Sequence, residues 1–258
     1  IINPADIPVT DKDRKNKTDS NDSKRLALAL QANLVKGIYI PSEEIEYDRR
    51  LVRCRKTVTK DLTRVKNRIK KIPPIYKGWS KKFIQWLKEL NLNSSIRQTL
   101  NVEIMNAEHL RLHLLDLNKQ VRKLLQEEKY KVIGDLLLSI PGIGSITAIS
   151  LITEVGDIHR FKHFNHFNSF IGFCPTEHSS GEKERKGRMT PRSHKILRSA
   201  IVESAWISLK TDTALAACYE EFTKRMTGKR AIIKIARKLL NRIYTTWKYH
   251  RPYIKGIN

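Results

Sequence analysis

The chain has 258 residues, with 50 lysines and arginines against 26 aspartates and glutamates, and a net charge of +24. Because 40% of the residues are apolar, the composition excludes a disordered basic tail and indicates a folded protein with a polyanionic partner. No apolar run is long enough to cross a membrane, and the three scattered cysteines favour a reducing, cytoplasmic compartment over a disulfide framework.

The first predicted helix begins near Thr18, after a charged run. Asp19 and Asp22 are three residues apart and share one face of its first turn. One interpretation is capping, with Asp19 as the N-cap and Asp22 facing the positive end of the helix dipole. The other is a carboxylate pair that holds Mg²⁺, since hard cations prefer several converging oxygens. Residues 37–41 then indicate a short strand.

Two long helices with narrow apolar stripes are predicted between residues 41 and 130. Pro73 and Pro74 end the first, and Asn93 with Ser94 begins the second, so the pair forms an antiparallel hairpin. Because each stripe has only two or three apolar positions per heptad, we predict a coiled coil that joins copies of the chain into a dimer or tetramer. An intramolecular hairpin is the alternative. The stripes are Leu51, Val58, Leu62, Val65, Ile69 and Ile72, and Ile96, Leu100, Ala107, Leu110, Leu114, Leu117, Val121 and Leu124.

A Pro-Gly-Ile-Gly turn at residues 141–144 joins two further predicted helices. The two glycines supply backbone freedom where a side chain would clash, and Ser145 or Thr147 opens the second helix. The amides of the turn and of that helix then point outward together and can hold a phosphate. This helix-hairpin-helix pattern is typical of sequence-independent DNA binders, whereas a plain helical hairpin is the alternative. The predicted nucleic-acid contacts here are Gly142, Ile143, Gly144, Ser145 and Thr147.

The stretch at residues 172–188 concentrates serine, glycine and basic residues, which by composition predicts a mobile basic loop. The alternative is a nucleophilic serine, Ser180 or its neighbour Ser179. A hydroxyl is a weak nucleophile near neutral pH, so it needs cations to offset the charge that develops on an attacked phosphate. The basic side chains of the stretch that we assign to nucleic-acid binding are Lys183, Arg185, Lys186 and Arg188.

A compact helical domain is predicted from residue 131 to the end of the chain. Its last helix, at residues 229–249, has an apolar inner face and a basic outer face. Tyr244, Tyr249 and Tyr253 lie near that basic face. We interpret them as core residues, with stacking on nucleic-acid bases as the alternative.

These features follow one another in an order found in one known family. The stretch from Lys17 to Asp22, the long helical hairpin, the turn at Pro141–Gly144, Ser179-Ser180-Gly181 and Leu197-Arg198 resemble the insertion-sequence-110 family of DEDD transposases. That family includes Piv-like pilin-gene invertases and bridge-RNA-guided serine recombinases. The resemblance covers essentially the whole chain.

The resemblance implies three domains. Residues 1–40 would be the C-terminal remnant of an α/β RuvC-like domain with a ribonuclease-H fold, 41–130 the coiled-coil linker, and 131–258 the transposase domain. Asp19 and Asp22 match the family's third and fourth metal-binding acids, and Ser180 matches the nucleophile, with Ser179 next in line. The first two acids have no counterpart, so we expect a chain that lacks the N-terminal part of the RuvC-like domain, with an incomplete Mg²⁺ site and no activity alone.

The predicted fold is therefore mainly α, with the coiled-coil hairpin, an all-helical C-terminal domain and a small α/β remnant. The resemblance implies a transposase that cuts and rejoins DNA through a phosphoserine intermediate, guided by an element-encoded bridge RNA. The alternative function is a non-catalytic architectural DNA-binding protein that uses only the helix-hairpin-helix and the basic coiled coil. A helix-hairpin-helix repair enzyme is disfavoured by the missing catalytic signatures.

Overall fold

The computed structural model describes residues 1–9, 18–35, 37–72, 78–177, 186–189 and 193–254. The prediction of a mainly helical chain is confirmed, and the chain forms two compact units, Ile1–Glu43 and Glu44–Asn258. None of the described helices combines the length and the apolarity that crossing a bilayer requires. The elements are α1 (Asp19–Gln31), α2 (Glu43–Ile69), α3 (Lys81–Glu89), α4 (Ser94–Leu125), α5 (Glu128–Leu138), α6 (Ser145–Val155), α7 (Phe164–Ile171), β1 (Pro175–Glu177), β2 (Lys186–Met189), α8 (Lys195–Ser208), α9 (Thr213–Thr223) and α10 (Gly228–Lys248).

The first unit contains α1, and two sequence predictions for this unit are wrong. Thr18, not Asp19, is the N-cap: its backbone is extended, and its Oγ1 accepts a hydrogen bond from the Asn21 N–H at 3.3 Å. Asp19 already lies in the helix. The strand predicted at residues 37–41 is wrong, because Gly37 forms only an isolated antiparallel bridge with Ile2. The described part of this unit holds no sheet, so its relation to a RuvC-like domain stays a prediction.

The long helices α2 and α4 run antiparallel within the second unit. Arg68, near the end of α2, bonds Glu103 near the start of α4 at 2.6 and 2.9 Å, and Arg55 bonds Asn118 at 2.6 Å. The short helix α3 packs between them. One apolar cluster unites the three helices through Leu62, Val65, Ile69, Phe83, Leu87, Leu100, Ile104 and Ala107. Because α3 covers part of both stripes, fewer apolar positions are left for another copy of the chain.

The C-terminal core is built around α6. Every residue of α6 from Ala148 to Val155 is buried. Helices α4, α5 and α8 pack against it, and α10 packs on α5, α7, α8 and α9. The predicted inner face of α10 is confirmed, since Ile235, Leu239 and Ile243 are fully buried.

The loop predicted at residues 172–188 is wrong at both of its ends. Strand β1 pairs antiparallel with β2, in a register that joins Pro175 to Met189 and Glu177 to Lys186, with one irregularity between them. Neither short strand shows the apolar–polar alternation by which a strand is recognised in a sequence. Their pairing depends instead on contact between residues that are distant in the sequence.

Candidate nucleic-acid interface

Gly142 occupies a position that only glycine fits. Its φ is +85°, and a Cβ there would lie 2.3 Å from the carbonyl oxygen of Ser204 in α8. The sequence prediction of a steric need for this glycine is confirmed. The close approach fixes the turn between α5 and α6 against α8.

Gly144 differs from Gly142, and the prediction of a clash is wrong for it. Its φ is −97°, and a Cβ would meet nothing within 4 Å. Gly144 is the N-cap of α6, where no side chain accepts from the first amides of the helix. The start of α6 therefore has open space in front of it and no side-chain cap, as a phosphate contact through backbone N–H groups requires.

The other predicted contacts of the turn are only partly accessible. Ile143 is buried, and its N–H donates to the Ile140 carbonyl at 3.1 Å, so this residue packs the hairpin. Ser145 and Thr147, in the first turn of α6, are half-buried. The surface that the turn offers thus consists of Gly144 and the first turn of α6.

The structure joins the two ends of the serine segment, defined as residues 174–192. Gly172, with φ +93°, is packed so closely on Ser193 that an added Cβ would lie 2.1 Å from the Ser193 Cβ. The His194 N–H donates to the Phe170 carbonyl at 3.2 Å, and Arg198 donates to the Gly172 carbonyl at 3.3 Å. The chain therefore leaves and re-enters the core at one place.

The residues predicted to act within the serine segment lie largely outside the described residues. This holds for Ser179, Ser180, Lys183 and Arg185. Lys186 and Arg188 lie in β2, one and three residues after the undescribed positions that precede the strand. The assignment of a nucleophile therefore stays a prediction.

A buried carboxylate, Glu154 at the end of α6, connects this region to α2. Both Glu154 oxygens accept from Arg53 at 2.7 Å, and His194 Nε2 lies 3.1 Å from Oε2. Arg49 donates to the Thr153 carbonyl at 2.9 Å and its Nε lies 3.6 Å from Glu154. Burial raises the pKa of Glu154, but hydrogen bonds from His194 and Arg53 and the charge of Arg53 outweigh burial and lower it to about 2.

His194 is committed to structural contacts by both ring nitrogens. Its Nε2 faces Glu154, and its Nδ1 accepts from the Leu197 N–H at 3.3 Å, which makes His194 the N-cap of α8. In this arrangement neither nitrogen is available to take a proton from a serine.

The acid pair of α1 fits a metal site only in part. Asp19 is exposed, while Asp22 is half-buried and forms an ion pair with Arg25. Carboxylates are suitable ligands for Mg²⁺. However, the described residues contain no group of three histidine, cysteine or acidic side chains that could hold a metal. We therefore assign no chemical step to a metal at these residues.

The three C-terminal tyrosines have separate roles. Tyr244 is buried and its hydroxyl donates to the Phe161 carbonyl at 3.1 Å, as predicted for a core residue. Tyr253 is half-buried and donates to Asp212 at 2.5 Å. Tyr249 is 60% exposed, so its interpretation as a core residue is wrong.

Sequence reasoning missed Glu154, Asp212 and their cationic partners. Arg53 and Glu154 are 101 positions apart, and Arg242 is 30 positions from the buried Asp212 to which it donates at 2.8 Å. No local sequence pattern indicates such pairs. The one available signal was a glutamate as the single charged residue of the predicted helix, since a buried acid needs a cation.

Two family models and one curated protein match parts of this chain. A family model described as "Transposase IS116/IS110/IS902 family" matches residues 134–220, and a second, described as "Transposase" (DEDD_Tnp_IS110), matches residues 1–73. The curated protein "Putative transposase y4qE" of Sinorhizobium fredii (strain NBRC 101917 / NGR234) is 24% identical over 213 residues, which are 80% of this chain and 51% of that protein. The chain spans about half the length of this relative.

Proposed function

We propose that the chain is a member of the IS110 family of transposases, whose models match residues 1–73 and 134–220, and that it cuts and rejoins DNA strands in transposition. The observation that carries the proposal is the position of the two family matches. One covers the acid pair of α1, and the other covers both the Pro141–Gly144 turn and the serine segment. The uncapped start of α6 supports a DNA contact at the hairpin.

For the chemistry we propose Ser180 as the nucleophile, with Ser179 as the alternative register. The serine Oγ would form a bond to phosphorus while the bond from phosphorus to the 3′ oxygen breaks. The hydroxyl proton passes overall to that leaving oxygen, and the products are a phosphoserine and a free 3′-hydroxyl. Lys183, Arg185, Lys186 and Arg188 would offset the charge that develops on the phosphate.

The acid pair enters the proposal as an incomplete set of ligands. Asp19 and Asp22 would supply two ligands of the Mg²⁺ site that the family resemblance implies. Their remaining partners are not among the described residues. Mg²⁺ would supply charge neutralisation at a phosphate. Because Asp22 pairs with Arg25, metal binding there would have to displace the arginine.

The proposed partners are DNA, an element-encoded guide RNA and further copies of the chain. Self-association through the α2–α4 hairpin is supported by large apolar side chains that α4 leaves exposed. Those with at least half of their surface exposed are Val102, Met105, Leu112 and Leu115. Such side chains on one long helix favour contact with another protein surface.

A covalent adduct assay tests the proposed chemistry. Full-length protein containing this chain is incubated with Mg²⁺, guide RNA and labelled DNA, then denatured. We expect labelled DNA to remain on the protein, Ser180→Ala to remove the adduct, and Asp19→Asn or Asp22→Asn to reduce it. Peptide mapping of the adduct identifies the attached serine.

The same assay separates the alternatives. If Ser179→Ala removes the adduct and Ser180→Ala does not, the nucleophile is the neighbouring serine. If neither substitution matters, the serine mechanism is wrong. A protein that binds DNA but never forms an adduct would instead favour the architectural DNA-binding function.

A further inference from the structure

A basic groove follows the outer face of α10. Its volume is about 920 Å³, and the C-terminal segment at residues 249–254 forms its other wall. Five of its lining residues are cations, and no carboxylate is among those that line it. The cations are Lys234, Arg237, Lys238, Arg242 and Arg251. We call this surface the α10 groove.

Four of these cations keep their charge available to a ligand. Lys234, Arg237, Lys238 and Arg251 are exposed. In the part of the chain that the structure describes, none of the four forms an ion pair with a carboxylate. A concave surface lined by one sign of charge concentrates its electrostatic potential. The α10 groove is therefore complementary to an extended anion.

The fifth cation, Arg242, belongs to the floor of the groove. It donates to the buried Asp212 at 2.8 Å and lies 5.0 Å from the ring centroid of Tyr253. Asp212 also accepts from the Tyr253 hydroxyl and caps α9 through the Leu215 N–H at 3.0 Å. Burial raises the pKa of Asp212, but these hydrogen bonds and the Arg242 charge outweigh burial and lower it. The negative charge under the groove is thus neutralised in place.

An aromatic ring and a link to the hairpin complete the surface. Tyr249 lines the groove and is 60% exposed, so its ring is accessible to a ligand. The Tyr253 N–H donates to Ser139 Oγ at 2.9 Å, and Ser139 directly follows α5 at the start of the hairpin. The groove and the hairpin therefore share one rigid support.

We propose that the α10 groove holds an unpaired segment of a polynucleotide strand. Lys234, Lys238 and their neighbours contact successive phosphates, and Tyr249 stacks on one base. A duplex keeps its bases stacked inside and offers no base face to Tyr249, whereas an unpaired strand does. The inference rests on the proposed function only in taking nucleic acid as the partner, and it adds the strand form and the binding surface.

A charge-matched pair of variants tests the phosphate contacts. Lys234→Gln with Lys238→Gln removes two charges from the groove, and Lys229→Gln with Arg230→Gln removes two from exposed positions of the same helix that do not line it. Binding of fluorescent dT₁₂, rU₁₂ and a DNA duplex of the same length to the full chain is measured by anisotropy. We expect the groove variant to weaken binding about tenfold and to lower the salt slope by about 1.4. The control should stay close to wild type.

A second pair of variants tests the stacking contact. Tyr249→Ala should weaken binding of a single strand about tenfold, while Tyr249→Phe should keep most of the affinity. A 2-aminopurine base in the oligonucleotide should be quenched by wild type and by Tyr249→Phe, but not by Tyr249→Ala. Thermal unfolding of each variant verifies that it is folded.

The outcomes distinguish failure of this inference from failure of the proposed function. Equal losses in the groove and control variants, or unchanged quenching in Tyr249→Ala, would overturn the groove as the binding surface. A groove variant that loses duplex binding and keeps single-strand binding would also overturn it. In each of these cases wild type still binds nucleic acid and the proposed function stands. Wild-type protein that binds neither single-stranded nor duplex nucleic acid would contradict both the groove inference and the proposed function. Similar losses of affinity for dT₁₂ and rU₁₂ support recognition through phosphates and base faces. A loss for one probe alone shows whether the groove holds DNA or RNA.

Discussion

Two places in Glu44–Asn258 use basic side chains in opposite ways. Around Glu154, one buried carboxylate takes the charge of Arg53 and contacts His194, so α2, α6 and α8 are held together. Along the α10 groove, Lys238 and Arg251 face solvent with no carboxylate among the lining residues. A net charge of +24 does not reveal which cations meet nucleic acid. The comparison shows that neutralised cations maintain the fold, whereas cations that converge without acids are available to phosphates.

Removing the negative charge of Glu154 should have the largest effect on the free energy of unfolding. Glu154→Gln leaves Arg53 without its carboxylate and removes one of the two carboxylates beside the largely buried Arg49, which keeps Glu46 at 2.9 Å. The side chain of Glu154 is only 2% exposed. We expect a loss of about 3 kcal/mol in the free energy of unfolding, at the low end for a broken buried pair because Arg53 can turn to solvent. Urea denaturation measures it. A loss below about 1 kcal/mol would show that the network is not structural.

Lowering the pH should remove the stabilisation that Glu154 gives to the wild-type fold. The pKa of Glu154 is lowered from 4.5 to about 2 in the folded protein, so its stabilising effect is complete above about pH 4.5 and is lost as the pH falls toward 2. The difference in unfolding free energy between wild type and Glu154→Gln should therefore be constant near neutral pH and shrink below about pH 4.5. A difference that stays constant down to about pH 2.5 would contradict this pKa.

A substitution in the floor of the α10 groove should have an intermediate effect on the free energy of unfolding. Tyr253→Phe removes the hydroxyl that donates to Asp212 but keeps the ring beside Arg242. We expect a loss of about 1.5 kcal/mol, because a hydrogen bond to a buried charge is lost while the Arg242 and Leu215 contacts remain. Chemical denaturation at neutral pH measures it, and unchanged stability would mean that Tyr253 does not hold the floor.

An exposed ion pair supplies the smallest effect and a reference for the others. Arg64 and Asp61 lie 2.8 Å apart on α2, with 71% and 37% of their side chains exposed. Asp61→Asn should change the free energy of unfolding by less than about 0.5 kcal/mol. A change as large as that of Glu154→Gln would show that burial does not separate structural charges from surface charges in this protein.

The sequence predicted those parts of the structure that depend on neighbouring residues. The start of α4 at Asn93, the need for glycine at residue 142 and the buried face of α10 follow from capping, turn chemistry and periodicity. The N-cap of α1 was misplaced by one residue, because Thr18 and Asp19 are both good caps and backbone geometry decides between them.

The parts that could not be predicted depend on residues distant in the sequence. Arg53 and Glu154 meet only because α2 packs on the end of α6, and β1 pairs with a strand that is not next to it in the sequence. The exposure of Tyr249 likewise depends on how the chain leaves α10. No spacing rule relates such residues, so a structure was needed to find both the buried network and the groove.

Lysine methylation with and without nucleic acid tests the comparison most directly. The full chain is treated with formaldehyde and a mild reductant, with or without dT₁₂, and the rate at each lysine is obtained by mass spectrometry. We expect dT₁₂ to slow the reaction severalfold at Lys234 and Lys238. Lys129, whose Nζ bonds Glu44 and Asp48 at 2.7 Å, should react at the same rate in both samples. Equal protection at all three lysines, or protection at Lys129 alone, would contradict the claim that the lysines of the α10 groove, and not the neutralised ones, contact nucleic acid.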